Sequence, residues 1–440
     1  MQPYFSIVVP TLNRCDTLKY TIDTIIDQDY ESFELIVSDN CSSDETESIV
    51  RAAQKKRANI RYIKPSRTLS MSRHWEFAIK HVLGKYVAFV GDDDGLMPDG
   101  LIVSEKLLKE HAEPDALSSL NTEYHWISSP VPHHSNIARM PLRRRTMKLD
   151  TSESLQRLVK FDIDYHKLPN LYRGWISKST LDKLSSKTNG IFKSCIPDIY
   201  MSIACLGVIG SYYFTEQPLF IEGVSGNSNG AKISQSISAE KDFFLDDSIP
   251  FHSEIGYCNT IAFIIGECFF QCRDLGLINQ NLEIDPINIV KASLNELSYI
   301  PLERYQQRID VISQYAKKHN LTEQYDSLVA AKPYIERGAS PFPDDIWFEE
   351  KMGFEVLAAN CKLLDCKSVY DFFSLFKIQS SSAYIILNIL RMLAEKNSEI
   401  HKNHQALNQV AWMENSLSWK LTAPLRGLFS LFQARIKYNS

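Results

Sequence analysis

Gly84-Lys-Tyr-Val-Ala-Phe-Val-Gly-Asp-Asp-Asp-Gly-Leu-Met-Pro98 sets a short apolar run, Tyr86 to Val90, directly against three consecutive carboxylates. A run of this kind, bounded by glycine, reads as a strand buried on both faces. Upstream lie three more: Ser6 to Val9, Glu34 to Ser38, and Ile60 to Ile63. Between them the apolar residues fall at helical spacing. Leu18, Ile22, Ile25 and Ile26 form one stripe, Ile49, Val50 and Ala53 a second, and Trp75, Ala78, Ile79 and Val82 a third. Ser42 and Glu45 have the spacing of a capping box at the start of the second helix, and Lys55, Lys56 and Arg57 suit its C-terminal dipole. Strand and helix in alternation predict an α/β fold, a Rossmann-like and mostly parallel sheet with helices on both faces.

In such sheets ligands bind beyond the carboxyl ends of the strands. The segments there are Pro10-Thr-Leu-Asn-Arg14, Asp39-Asn-Cys-Ser-Ser-Asp44 and Gly91-Asp-Asp-Asp-Gly95. Asp92, Asp93 and Asp94 repel one another, and a hard divalent cation, Mg2+ or Mn2+, shared with phosphate oxygens would relieve that repulsion. The competing reading is a solvated Asp-Gly turn. Asp39 has the same two readings, an acceptor for a ribose or base edge and the start of an Asx turn. A dinucleotide-binding site needs Gly-x-Gly-x-x-Gly after the first strand, and Thr11-Leu-Asn-Arg-Cys15 has no glycine there. A P-loop is absent as well.

Val8-Val-Pro-Thr-Leu-Asn-Arg14, Leu35-Ile-Val-Ser-Asp-Asn-Cys-Ser-Ser-Asp44 and the Gly84–Pro98 stretch, in that order and each at a strand end, resemble the inverting, GT-A-fold glycosyltransferases of family 2. The resemblance is dense to about residue 110 and looser to about 230. It implies that Pro10, Thr11, Arg14 and Asp39 hold a nucleoside, that Asp92 faces the ribose or base, and that Asp93 and Asp94 hold the metal on a diphosphate. Gly91 departs from the family's Asp-x-Asp by occupying its first position. Ser70-Met-Ser-Arg-His74 is similar to a family segment near the donor diphosphate, which makes Arg73 a candidate phosphate partner. The family places its base at the start of a helix roughly a hundred residues after the acidic motif. There Ile196-Pro-Asp-Ile-Tyr-Met201 opens an apolar helix, with Pro197 suited to its first turn and Asp198 as the carboxylate.

The implied reaction moves a sugar from a nucleotide-diphosphate donor to an acceptor hydroxyl by inverting displacement. Two readings stay open beside it: a nucleotidyltransferase, and a non-catalytic subunit of a polysaccharide assembly complex.

The 440 residues suffice for two or three domains. The organisation predicted is a GT-A domain over 1–235, an α-helical domain over 250–405 and an amphipathic tail over 406–440. A formal net charge of -5 excludes a global basic field for nucleic acid. Nine cysteines without CxxC spacing, and no leader-like start, predict reduced thiols and a cytoplasmic protein. Tyr212 to Thr215 and Pro218 to Ile221 read as a strand pair or extended segment, and Gly223-Val-Ser-Gly-Asn-Ser-Asn-Gly230 as a lid loop. Leu421, Leu425, Leu428 and Phe432 share a helical face flanked by Trp419, Lys420, Arg426, Arg435 and Lys437. That pattern fits a helix lying on the cytoplasmic face of the inner membrane, and with it a lipid-linked saccharide as acceptor.

Overall fold

The computed structural model describes residues 2–130, 134–172, 174–228, 249–297, 300, 302–332, 334, 346–351 and 354–377. The chain opens with β1 (Phe5–Thr11), α1 (Cys15–Ile26), β2 (Phe33–Asp39), α2 (Thr46–Lys56), β3 (Ile60–Ile63), α3 (Met71–Ile79) and β4 (Tyr86–Phe89). These four strands are parallel in the order β3-β2-β1-β4. Alternate side chains on each strand serve opposite faces. Val8, Ile36, Val87 and Phe89 pack with Trp75, Ala78 and Ile79 of α3. Ile7, Val9, Leu35, Val37, Ala88 and Val90 pack with Leu18, Ile22 and Ile25 of α1 and Val50 of α2. Both faces are covered, which is why these strands read as unbroken apolar runs.

The chain continues through β5 (Gly95–Leu96), α4 (Gly100–Glu110), β6 (Ala116–Ser119), β7 (Thr122–His125), β8 (Ile137–Pro141), β9 (Thr146–Asp150) and α5 (Thr151–Leu158). Then come β10 (Gly174–Ser177), α6 (Lys178–Thr188), α7 (Pro197–Leu206), β11 (Ser211–Thr215) and β12 (Phe220–Val224). Strands β10, β6, β11 and β9 extend the first sheet to eight, with β10 and β9 antiparallel to their neighbours. The expected α/β class is observed. Tyr212 to Thr215 and Phe220 to Val224 are both strands, but not a pair: β11 joins the first sheet while β12 lies beside β7 and β5 in a second.

Helices α8 (Ile261–Asp274), α9 (Pro286–Glu296), α10 (Leu302–Lys318) and α11 (Thr322–Ala331) make the C-terminal half largely helical, as expected. One difference is a hairpin, β13 (Ile346–Lys351) and β14 (Phe354–Asn360), whose second strand pairs with β8 to complete a six-stranded second sheet. The Leu-Ala-Ala run in β14 favours a helix locally, and pairing with β8 overrides that preference. α12 (Val369–Lys377) follows and lies against α1, where Tyr370 donates to Asp27 Oδ2 at 2.5 Å. Helices α8 to α11 share one apolar cluster with α7, joining Tyr200, Met201 and Ile203 to Phe263, Ile264 and Phe269. Among the described residues no helix is long and apolar enough to cross a membrane. The expected tail, 406–440, lies outside the described residues.

The start of α2 corrects one expectation. Asp44, rather than a Ser42–Glu45 box, caps it by accepting from Thr46 N at 3.1 Å and Thr46 Oγ1 at 2.6 Å. Ser42 is committed elsewhere, its N–H donating to Asp39 Oδ1 at 2.7 Å.

Candidate active site

Thr11 and Asp39 are register partners at the ends of β1 and β2, so the first two strand-end segments are neighbours by construction. Pro10 is tolerated in this central strand because pairing with β4 stops at Val8 and Phe89, leaving no ladder bond for it to break on that side. Arg14 caps α1 and its Nη1 donates to Asp92 Oδ1 at 2.8 Å, which brings the third segment to the first. The carboxylate of Asp39 is engaged: Oδ1 closes the Asx turn to Ser42, and Oδ2 accepts from Tyr62 OH at 2.5 Å and faces Lys64 Nζ at 3.3 Å. Burial opposes its ionisation, but the Ser42 and Tyr62 donors and the Lys64 cation outweigh it and hold the carboxyl below its ordinary range.

The acidic triplet is buried, each aspartate 3–4% exposed. It is held by elements far away in sequence. Asp94 Oδ2 accepts from Gly91 N at 2.8 Å and Oδ1 from Gly223 N of β12 at 2.7 Å, while its backbone oxygen accepts from Thr21 Oγ1 of α1 at 2.7 Å. The half-buried Tyr172 also hydrogen-bonds through its hydroxyl to Asp94. Asp93 Oδ2 accepts from Ser225 Oγ at 2.6 Å, Ser225 N at 3.2 Å and the Ser228 hydroxyl. Trp126 Nε1 donates to the Asp93 carbonyl at 2.9 Å. Gly223 to Ser228, expected to form a lid, is thus stitched to the triplet; Asn229 and Gly230 lie outside the described residues.

Burial and the neighbouring Asp93 charge push the Asp92 carboxyl up to about 6 against the pull of Arg14. Burial, Asp93 and Glu222 push Asp94 well above the carboxylate range. Two buried carboxyls that resist ionising, packed around the Asp93 carboxylate, are the condition a divalent cation relieves. The residues fit one in a particular way. Asp94 spends both oxygens on the protein, and Asp92 is paired with Arg14. Asp93 Oδ1 accepts no hydrogen bond among the described residues. Among those residues no group of three His, Cys, Asp or Glu side chains is arranged to ligate a metal. A cation here would have one or two carboxylates and would need phosphate oxygens to complete its shell, which is how Mg2+ is commonly shared with a substrate.

The other expected residues lie on α3 and α7. Arg73 is exposed on the first turn of α3, and Asp198 is half-buried on the first turn of α7. Ser72 Oγ, beside Arg73, donates to Ser194 O at 2.6 Å, which fixes the two helix starts to each other. Aromatic rings bridge them to the triplet: Tyr172 stacks on Trp75 at 6.0 Å, and Trp75 meets Phe192 edge-on at 5.6 Å. Sequence reading missed Tyr172, Trp126, Ser225 and Ser228 as site residues. The glycine and serine content of 223–230 was the one usable signal.

The decisive comparison concerns the stretch that supplies these strand ends. Residues 6–162 match the model of glycosyl transferase family 2. The resemblance carried by the three strand-end motifs is borne out over that span. Within the family 2 region the chain is 35% identical over 100 residues to a GalNAc(5)-diNAcBac-PP-undecaprenol beta-1,3-glucosyltransferase of Campylobacter jejuni, a match covering 22% of this chain and 32% of that one. It is 29% identical over 102 residues to a putative teichuronic acid biosynthesis glycosyltransferase, TuaG, of Bacillus subtilis, covering 23% and 40%. The matches therefore span less than half the length of either relative. Among solved structures, S. aureus TarS 1-349 in complex with UDP-GlcNAc aligns with a TM-score of 0.44 at 15% identity, over 79% of this chain and 95% of that one.

Proposed function

We propose that this chain is a glycosyltransferase that moves a sugar from a nucleoside diphosphate donor to an acceptor hydroxyl, with inversion, in the assembly of a surface polysaccharide. One observation carries the reading. The acidic triplet lies within the stretch that matches family 2, at the ends of buried parallel strands, and among the described residues Asp93 Oδ1 accepts no hydrogen bond.

Thr11, Arg14, Asp39 and Pro10 would line the nucleoside side, with Asp92 oriented by Arg14. Asp93, seconded by Asp94, would hold Mg2+ or Mn2+. Such a cation, when bound, supplies positive charge to the diphosphate as it leaves. Arg73 would add a second positive charge on the phosphate side. Asp198 takes the proton from the acceptor hydroxyl as that oxygen attacks the anomeric carbon; general-base action of this kind contributes about 10² to 10⁴ in rate. The Campylobacter relative, named for a polyprenyl-diphosphate acceptor, supports a lipid-linked saccharide here. The amphipathic sequence of 416–437 supports contact with the cytoplasmic face of the membrane.

Calorimetry tests the donor side. UDP and GDP are titrated with and without Mn2+ into the wild type and Asp93→Asn. Binding of one nucleotide that needs Mn2+ in the wild type and is lost in Asp93→Asn is expected. Equal binding with and without the metal would remove the basis of the proposal.

A further inference from the structure

We infer that Glu267, on α8 of the C-terminal half, is a positioning residue that sets Asp198 and Arg73 relative to one another through Ser194. The inference rests on the glycosyl-transfer reading of Asp198.

Glu267 is fully buried in a helix whose other inward residues are Phe263, Ile264, Cys268, Phe269 and Cys272. A carboxyl in such a place costs stability unless its partners use it, and an apolar side chain of similar volume would pack there. Its partners are few. Gln271 Nε2 donates to Oε1 at 3.0 Å; Ser194 Oγ donates to Oε2 at 2.6 Å, with Cys268 Sγ 3.3 Å from the same oxygen. Ser194 is itself fully buried, and besides a long contact from Cys268 Sγ at 3.7 Å it has three attachments. Its hydroxyl hydrogen goes to Glu267, its hydroxyl oxygen accepts from Ile196 N at 3.2 Å, and its carbonyl accepts from Ser72 Oγ at 2.6 Å.

Each attachment leads to a different part of the site. Ile196 is the residue before α7, two positions from Asp198. Ser72 is the neighbour of Arg73 on α3. Ile196 contributes no side-chain cap to α7, so the Ser194 hydroxyl is what fixes the entry of the chain into that helix. Without the Glu267 acceptor the hydroxyl is free to rotate and loses its reason to present its lone pair to Ile196 N. The preceding stretch is pinned independently, by Glu76 Oε2 accepting from Ile191 N at 2.8 Å and Phe192 N at 3.1 Å. The slack would therefore fall on residues 194–198, where the base begins.

The experiment uses the full chain and three variants, Glu267→Leu, Glu267→Gln and Ser194→Ala, each also made in an Asp198→Ala background. UDP release from UDP-glucose and UDP-N-acetylglucosamine with Mn2+ is followed with water as acceptor, alongside the UDP affinity and amide hydrogen exchange of residues 197–201. Glu267→Leu and Ser194→Ala are expected to lower turnover about tenfold to a hundredfold, the scale of a small misplacement of a reacting group. UDP affinity should stay within about twofold and exchange at 197–201 should quicken. Glu267→Gln keeps an acceptor for Ser194 and should restore turnover. On the Asp198→Ala background none of the three should lower it further, which a merely structural role would not produce. Unchanged exchange in Glu267→Leu, a loss of UDP affinity that parallels turnover, or an equal loss on both backgrounds would overturn the inference. Full turnover in Asp198→Ala alone would sink the reading of Asp198 as base, and it would do so whatever Glu267 does to exchange.

Discussion

His74 sits on α3 with its imidazole Nε2 2.8 Å from the Ser38 hydroxyl, one residue from the strand-end Asp39. It is 4% exposed, and burial lowers its pKa to about 4 in spite of the nearby Asp39 charge. The folded protein thus keeps this ring neutral down to about pH 4, whereas the unfolded chain protonates it near 6.5. Between those values unfolding takes up a proton, so the contribution is intact above about pH 6.5 and is lost as pH falls through the interval. From pH 7.5 to 4.5 this amounts to about 2 to 3 kcal/mol. His74→Gln carries no titrating group and can still bond to Ser38. Urea denaturation at the two pH values should show a loss of stability smaller by about that amount in the variant. An identical loss in both proteins would mean that the ring is not held neutral.

The glycine of β12 gives a prediction that belongs to the element. Gly223 is needed for close approach, not for an unusual dihedral: a Cβ there would stand 1.7 Å from the Asp93 carbonyl oxygen and 2.6 Å from its carbon. Backbone cannot yield as a side-chain tip can. Gly223→Ala should push β12 off the acidic loop, break the Gly223 N bond to Asp94, and destabilise the protein by about 3 kcal/mol or more. Gly210→Ala, where a Cβ meets nothing within 4 Å, is the control. Equal urea midpoints for the two variants would refute the tight approach. The same strand marks the limit of what could be read from residue order. β1 to β4 were legible because burial on both faces writes a continuous apolar run into each, and the aspartates were legible because they directly follow one. The donors that hold them were not: Tyr172 and Ser225 come roughly 80 and 130 positions later, as the Asp93–Ser225 separation of 132 records. The Phe354–Asn360 strand was missed for a related reason, since its partner β8 is two hundred residues upstream and its own composition argues for helix.

At the scale of the molecule, the question is whether the family 2 region stands alone. A boundary between 235 and 250 was expected from the change of pattern in the sequence. Packing crosses it without a break. α7, which carries Asp198, presents Tyr200, Met201 and Ile203 to the cluster that contains Phe263, Ile264, Ile265 and Phe269 of α8. Further round, β14 pairs with β8, and α12 closes over α1 through Tyr370 and Lys377, both bonded to Asp27. Fully burying an apolar side chain of this size contributes about 1.5 to 3 kcal/mol. Uncovering the α7 face alone would therefore forfeit a sum comparable with the whole stability of a domain, about 5 to 15 kcal/mol. A chain cut after residue 249 keeps every strand-end motif and every residue from Pro10 to Asp198 that the proposed chemistry uses. It should nevertheless fail to unfold cooperatively in urea and should bind a hydrophobic dye that the full chain excludes. The full chain should lose tryptophan fluorescence and far-UV ellipticity in one coincident transition, because its two halves share a core. Should the fragment instead melt cooperatively at the full chain's midpoint, the helices from 261 onward would be an appendage, and Glu267 could not be holding the base in place.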